Sequence, residues 1–120
     1  MNAQIPGLNE QDLRPYFDRS DLLRDCALQL QKDCAMYGLE LALPEQAEET
    51  YHTLYAQVLP WVREQIDRRG ERISALLYRI DVSEALVRQA AAESESWPEA
   101  VTRLMLWREL QKVVIRHLYR

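Results

Sequence analysis

The chain has 120 residues, 48% of them apolar and 28% charged, with a net charge of −4. That is the make-up of an ordinary folded protein with enough chain for one domain and a real core. Three glycines are too few for a sandwich or barrel built on many tight turns; no apolar run nears the roughly 20 residues that span a bilayer, and the opening "MNAQIPGLNEQDLRPYF" lacks the basic and apolar regions of a signal peptide.

Along the chain, Asn9 can cap a short helical turn, with Leu8 and Leu13 as a hydrophobic staple around it, and Pro15 interrupts that turn. The first long helix is expected to start near Asp18 or Ser20. Leu23, Cys26, Ala27, Leu30, Cys34 and Tyr37 recur mostly at spacings of three and four, and Gly38 suits the position that ends a helix. Cys26 and Cys34 lie about 12 Å apart along such a helix, too far for a disulfide. On an apolar face they read as buried, inert thiols of a protein in a reducing, cytoplasmic setting.

"GLELALP", residues 38–44, alternates Leu39, Leu41 and Leu43. With no second strand to pair with, it reads as an extended linker whose leucines plug the end of a bundle. Pro44 precedes a second helix whose inner stripe is Tyr51, Leu54, Tyr55, Val58, Val62 and Ile66. Pro60 falls inside it and should kink it. Arg68, Arg69 and Gly70 form a suitable end. Yet Leu59, Val62, Ile66, Ile73, Leu76 and Ile80 keep a helical rhythm through Gly70. One helix over 45–80 would be about 54 Å long, so a break at Gly70 is the favoured reading. "ERISALLYRI" is then a short helix, and "DVSEALVRQAAAE" another, begun by Asp81 with Glu84 as a capping box or by Ser83 with Val82 and Val87 as its staple.

"SESWPEA" starts the last helix, with Ser96 as cap, Pro98 in the first turn and Glu99 three residues on. Along it Leu104, Leu106, Trp107, Leu110, Val113, Val114, Ile115 and Leu118 cover an arc of about 200°, where a one-sided surface helix needs little more than about 100°. This helix must be covered on two sides, by its own bundle or by a second subunit. Trp107, Leu110, Val114, His117 and Leu118 are its candidate interface residues. The expected fold is all-α: a compact bundle of about five helices, the first, second and last long, forming one domain over 1–120 with 1–17 a short N-terminal turn and arm.

No catalytic motif stands above background. Glu49 and His52 in "EETYH" have the spacing used by di-iron bundles, but no second such pair or further carboxylate set accompanies them, and the cysteines and histidines lack zinc-ligand spacing. Glu48 and His52 instead share one flank of the second helix, a candidate polar pocket. No metal or cofactor is called for. Arg108, Lys112, Arg116 and Arg120 recur every four residues as a basic stripe, with Glu109 alongside. The pI near 5.2 and the lack of any nucleic-acid-binding pattern favour a solvated or internally paired face. Residues 1–60 carry −6 and residues 61–120 carry +2, which fits acidic helices packed beside basic ones.

The phrases "LLYRIDVSEALV" and "LWRELQKVVIRHLY" resemble the ends of small, uncharacterised helical proteins of bacteria. The resemblance covers about the last 50 residues and implies a shared fold and a cytoplasmic bacterial protein; it brings no activity and no site residues. The function expected from the sequence is a non-enzymatic protein-protein interaction or regulatory adaptor module that self-associates through the last helix, without a membrane. The alternative is a small-molecule-binding or enzymatic bundle lined by tyrosines, His52 and Glu48. The third is a weak nucleic-acid binder through the basic stripe.

Overall fold

The computed structural model describes residues 10–42, 50–68, 70–93 and 96–119. They form six α-helices: α1 (Glu10–Leu13), α2 (Ser20–Asp33), α3 (Tyr51–Arg68), α4 (Gly70–Ile80), α5 (Glu84–Glu93) and α6 (Trp97–Leu118). There is no strand among them, and α2, α3 and α6 are the long members. No helix among the described residues is long and apolar enough to cross a membrane.

The local chemistry explains where these helices begin and end. At Ser96 both halves of a capping box are made: the Glu99 N–H donates to Ser96 Oγ at 3.3 Å, and the Ser96 N–H donates to Glu99 Oε1 at 3.2 Å. Helix α2 opens at Ser20 behind Arg19, whose guanidinium pairs with Asp21 at 3.1 Å. It closes at Asp33, earlier than Gly38. A 3-10 turn, Ala35–Tyr37, follows, and Gly38, at φ 83°, then takes the left-handed conformation that glycine adopts without strain. The Leu39 N–H reaches back to the Cys34 carbonyl, turning buried Leu39 inward.

The expected Asp81–Glu84 cap does not form. Helix α5 starts at Glu84, which puts Ser83 next to it. Asp81 ends α4 instead, at φ 71°. Its N–H donates to the Tyr78 carbonyl and that of Val82 to the Leu77 carbonyl, the two bonds of a Schellman stop. Glycine usually holds that position; here the Asp81 carboxylate accepts from Arg108 at 2.9 Å.

Between α2 and α3, Leu39 is buried and Leu41 half-buried, as a plug requires; Leu43 and Pro44 lie outside the described residues. Two glutamines pin this extended backbone. Gln31 Oε1 accepts from the Leu41 N–H at 2.8 Å, and Gln57 bonds both the N–H and the carbonyl of Ala42. Pro60 sits inside α3 on an exposed position without ending the helix. Helix α3 ends at Arg68 and α4 starts at Gly70, with residue 69 outside the described set.

Helix α6 is the axis of the bundle: α1, α2, α3, α4 and α5 all pack on it. Ala100, Val101, Met105, Leu106, Leu110, Val113 and Val114 are buried along its length. Most of its wide apolar arc is therefore covered within one subunit, on more than one side, with Leu118 left exposed. Leu110 and Val114, both 0% exposed, are core residues. That corrects their assignment to an interface, because a partner cannot reach them while the bundle is closed.

Candidate functional site

Where α5 and α6 separate, two stripes of side chains face each other across an open groove of about 600 Å³. From α5 come Leu86, Gln89, Ala90 and Glu93; from α6 come Arg103, Leu104, Trp107, Arg108 and Gln111. Both sets follow helical spacing, so each lies on one face of its helix. Tyr78 closes one end with the turn Asp81–Ser83. The floor is apolar, from Val82, Leu104 and half-buried Trp107, and the rim carries exposed Tyr78 and Leu86. The Arg103 guanidinium stands over the Trp107 ring at 4.4 Å, a cation–π contact that fixes both side chains. Arg108 is mostly buried and bonds Asp81 and Gln111 Oε1, while its Nε has no acceptor.

The groove contains one expected site residue, Trp107, and one member of the basic stripe, Arg108. The other proposed residues do not converge on it. His117 and Leu118 are exposed at the far end of α6. The stripe itself is broken up by internal pairing. Arg108 goes to Asp81, Lys112 to Glu109 at 3.0 Å and to Asp33 at 3.8 Å, Arg116 is exposed, and Arg120 lies outside the described residues. His52 is exposed and lines a shallow dent of about 430 Å³ with Arg14, Phe17, Asp18, Thr50 and Tyr51. Its expected partner Glu48 lies outside the described residues. The stacked rings of Phe17 and Tyr51, 4.4 Å apart, hold the floor of that dent. Among the described residues, no group of three or more His, Cys, Asp and Glu side chains is placed to hold a metal ion.

A second polar cluster lies inside the bundle. Glu109 of α6 is fully buried and faces Asp33 at the end of α2, with Lys112 beside both. Burial pushes the Glu109 carboxyl up to about 7; the Lys112 charge opposes this, and the neighbouring Asp33 carboxyl adds to it. Cys26 and Cys34 are free and buried nearby. Burial raises both thiols, Cys34 to about 12, so neither is a ready nucleophile.

Arg103 and Glu109 were not singled out in the sequence as site residues. Arg103 precedes Trp107 by one helical turn, the spacing that stacks a cation on an indole, so that signal was present. Glu109 stands between Leu106 and Val113 on the apolar arc, and its residue type concealed a core position. No known family model matches the chain, and no curated protein or solved structure matches it.

Proposed function

We propose that this protein is a non-enzymatic interaction module, an adaptor or regulator, that pairs with a second copy of itself through the groove between α5 and α6. The observation that carries this reading is the groove's anatomy: an apolar floor centred on Trp107, exposed Tyr78 and Leu86 at the rim, and walls of opposite sign. The α6 wall bears Arg103 and the facing α5 wall bears Glu93, while Arg108 and Asp81 neutralise each other at one end of the groove. Walls of opposite sign complement themselves across a two-fold axis, since each acidic wall then meets the other copy's basic one. An aromatic anchor with arginine beside it is also the side-chain mix that dominates binding energy at interfaces. The bacterial, cytoplasmic setting implied by the sequence resemblance belongs to the same proposal.

The test is the mass in solution. Light scattering over a concentration series reaching about 1 mM should show the 14.1 kDa chain moving toward twice its mass. Leu86→Glu should keep it monomeric over the same series, with an unchanged melting temperature at dilutions where both chains are monomers. A chain that remains 14.1 kDa throughout ends the self-association reading.

One observation favours a second reading. About 600 Å³ lies within the range of small-molecule pockets, roughly 300–1,000 Å³. A thermal-shift screen against metabolites separates the two, because a small molecule that stabilises the monomer, and loses that effect in Trp107→Ala, would assign the groove to a ligand. Nucleic-acid binding has less support, since Arg108 and Lys112 are engaged inside the subunit.

A further inference from the structure

The Asp33–Glu109 cluster stands apart from the groove reading and has a property of its own. Each side chain leaves one buried oxygen without a donor: Asp33 Oδ2 and Glu109 Oε2. The groups around them are already committed. Gln29 Nε2 donates to Asp33 Oδ1 at 3.1 Å, Arg79 Nε of α4 donates to the Asp33 carbonyl at 2.9 Å, and Lys112 Nζ lies 3.0 Å from Glu109 Oε1 and 3.8 Å from Asp33 Oδ2. Cys26 and Cys34 of the α2 segment are the remaining titratable neighbours, and both stay neutral thiols. The two carboxyl groups flank the same Lys112 ammonium, at 3.0 Å and 3.8 Å, and two carboxylates side by side cannot bond each other without a proton. With one proton on Glu109 the trio of Lys112, Asp33 and Glu109 is electrically neutral, and a proton held between the two orphan oxygens would satisfy both. Without it, a net negative charge stands on carboxyl groups whose unpartnered oxygens are buried.

We propose that Glu109 donates a shared proton to Asp33 across the α2–α6 seam, and that loss of this proton loosens the seam, making it a pH-sensitive latch. The direction follows from linkage. An acid whose proton is held more tightly in the folded chain stabilises the fold fully below its unfolded value, 4.5, and loses that contribution as pH rises through its folded value near 7.

The test is the melting temperature of the intact chain between about pH 5 and pH 8, which should fall by on the order of 10 °C. Glu109→Gln supplies the same shape, an NH₂ donor toward Asp33 and a carbonyl toward Lys112, so it fixes the latch closed. That variant should melt at a nearly constant temperature over this range and above the unmodified chain at the alkaline end. A variant that keeps the original slope, melts lower at the alkaline end or fails to fold overturns the proposal. The unmodified chain gives an independent readout: one glutamate carboxyl resonance in carbon-13 spectra should titrate near neutrality, and if every glutamate titrates in the ordinary range the latch does not exist.

Discussion

A leucine on α6 can be buried by its own chain or by another, and the two cases differ in what truncation does. Leu110 is 0% exposed and Leu118 is 51% exposed. Truncating Leu110 to Ala leaves a cavity among helices that cannot fully collapse, and should cost about 3 kcal/mol of unfolding free energy in urea melts. Leu118→Ala should stay within about 0.5 kcal/mol. If Leu110→Ala instead changed the oligomeric mass and left stability untouched, its place in the core would be wrong. Apolar periodicity in a sequence reports that a residue is covered; it does not say by which chain, which is why Leu110 and Val114 read as interface candidates. Glu109 shows the converse limit. Its neighbours on the helical wheel are apolar, but a charged residue type is buried only when partners elsewhere in the chain allow it. Those partners include Asp33, 76 residues away in the sequence, and no local pattern signals such a pairing.

Helix ends were legible where the signal is local. Ser96 and Glu99 are three residues apart, and both bonds of their box are made without help from the rest of the molecule. Ser96→Ala should therefore cost about 1 kcal/mol in the same melts, and Ser96→Asp should recover most of it; a neutral Ser96→Ala would mean the box contributes nothing to the fold. Asp81 and Glu84 have the same spacing and form no box, because Asp81 is held in the Schellman turn with its carboxylate on Arg108, 27 residues away. The linker follows the same rule. Its alternating leucines announced a plug, but the glutamines that satisfy its backbone come from the helices on either side and could not be picked from the sequence. The opposing walls of the groove lie on two helices, so Trp107 was visible as an aromatic on an apolar arc while its setting opposite Leu86 was not.

At the scale of the molecule, the bundle is organised around α6, and the all-α class with three long helices was readable because helix periodicity persists over many turns. The charge asymmetry between the two halves is partly resolved in the same seams, where the Asp33 carboxylate of the acidic half meets Lys112 of the basic half. These pairings also shape how the whole fold responds to pH. Asp21 is held below the usual carboxylate range chiefly by its hydrogen bond from Arg19, and Glu99 by its hydrogen bond with Ser96. Acids depressed in the folded chain contribute stability above their unfolded values, 3.8 and 4.5, and lose it as pH falls through the folded ones. Glu109 acts in the opposite sense, losing its contribution as pH rises toward 7. Stability plotted against pH should therefore be a dome with its top in the mildly acidic range. The two limbs should be separable by mutation. Glu99→Gln retains an acceptor for the cap and should soften only the acid limb, whereas Glu109→Gln should flatten only the limb toward neutrality. Melting curves of both variants from about pH 3 to pH 8 check this, and a single substitution that altered both limbs would show that the α2–α6 seam and the α6 cap unfold as one coupled unit rather than titrating independently.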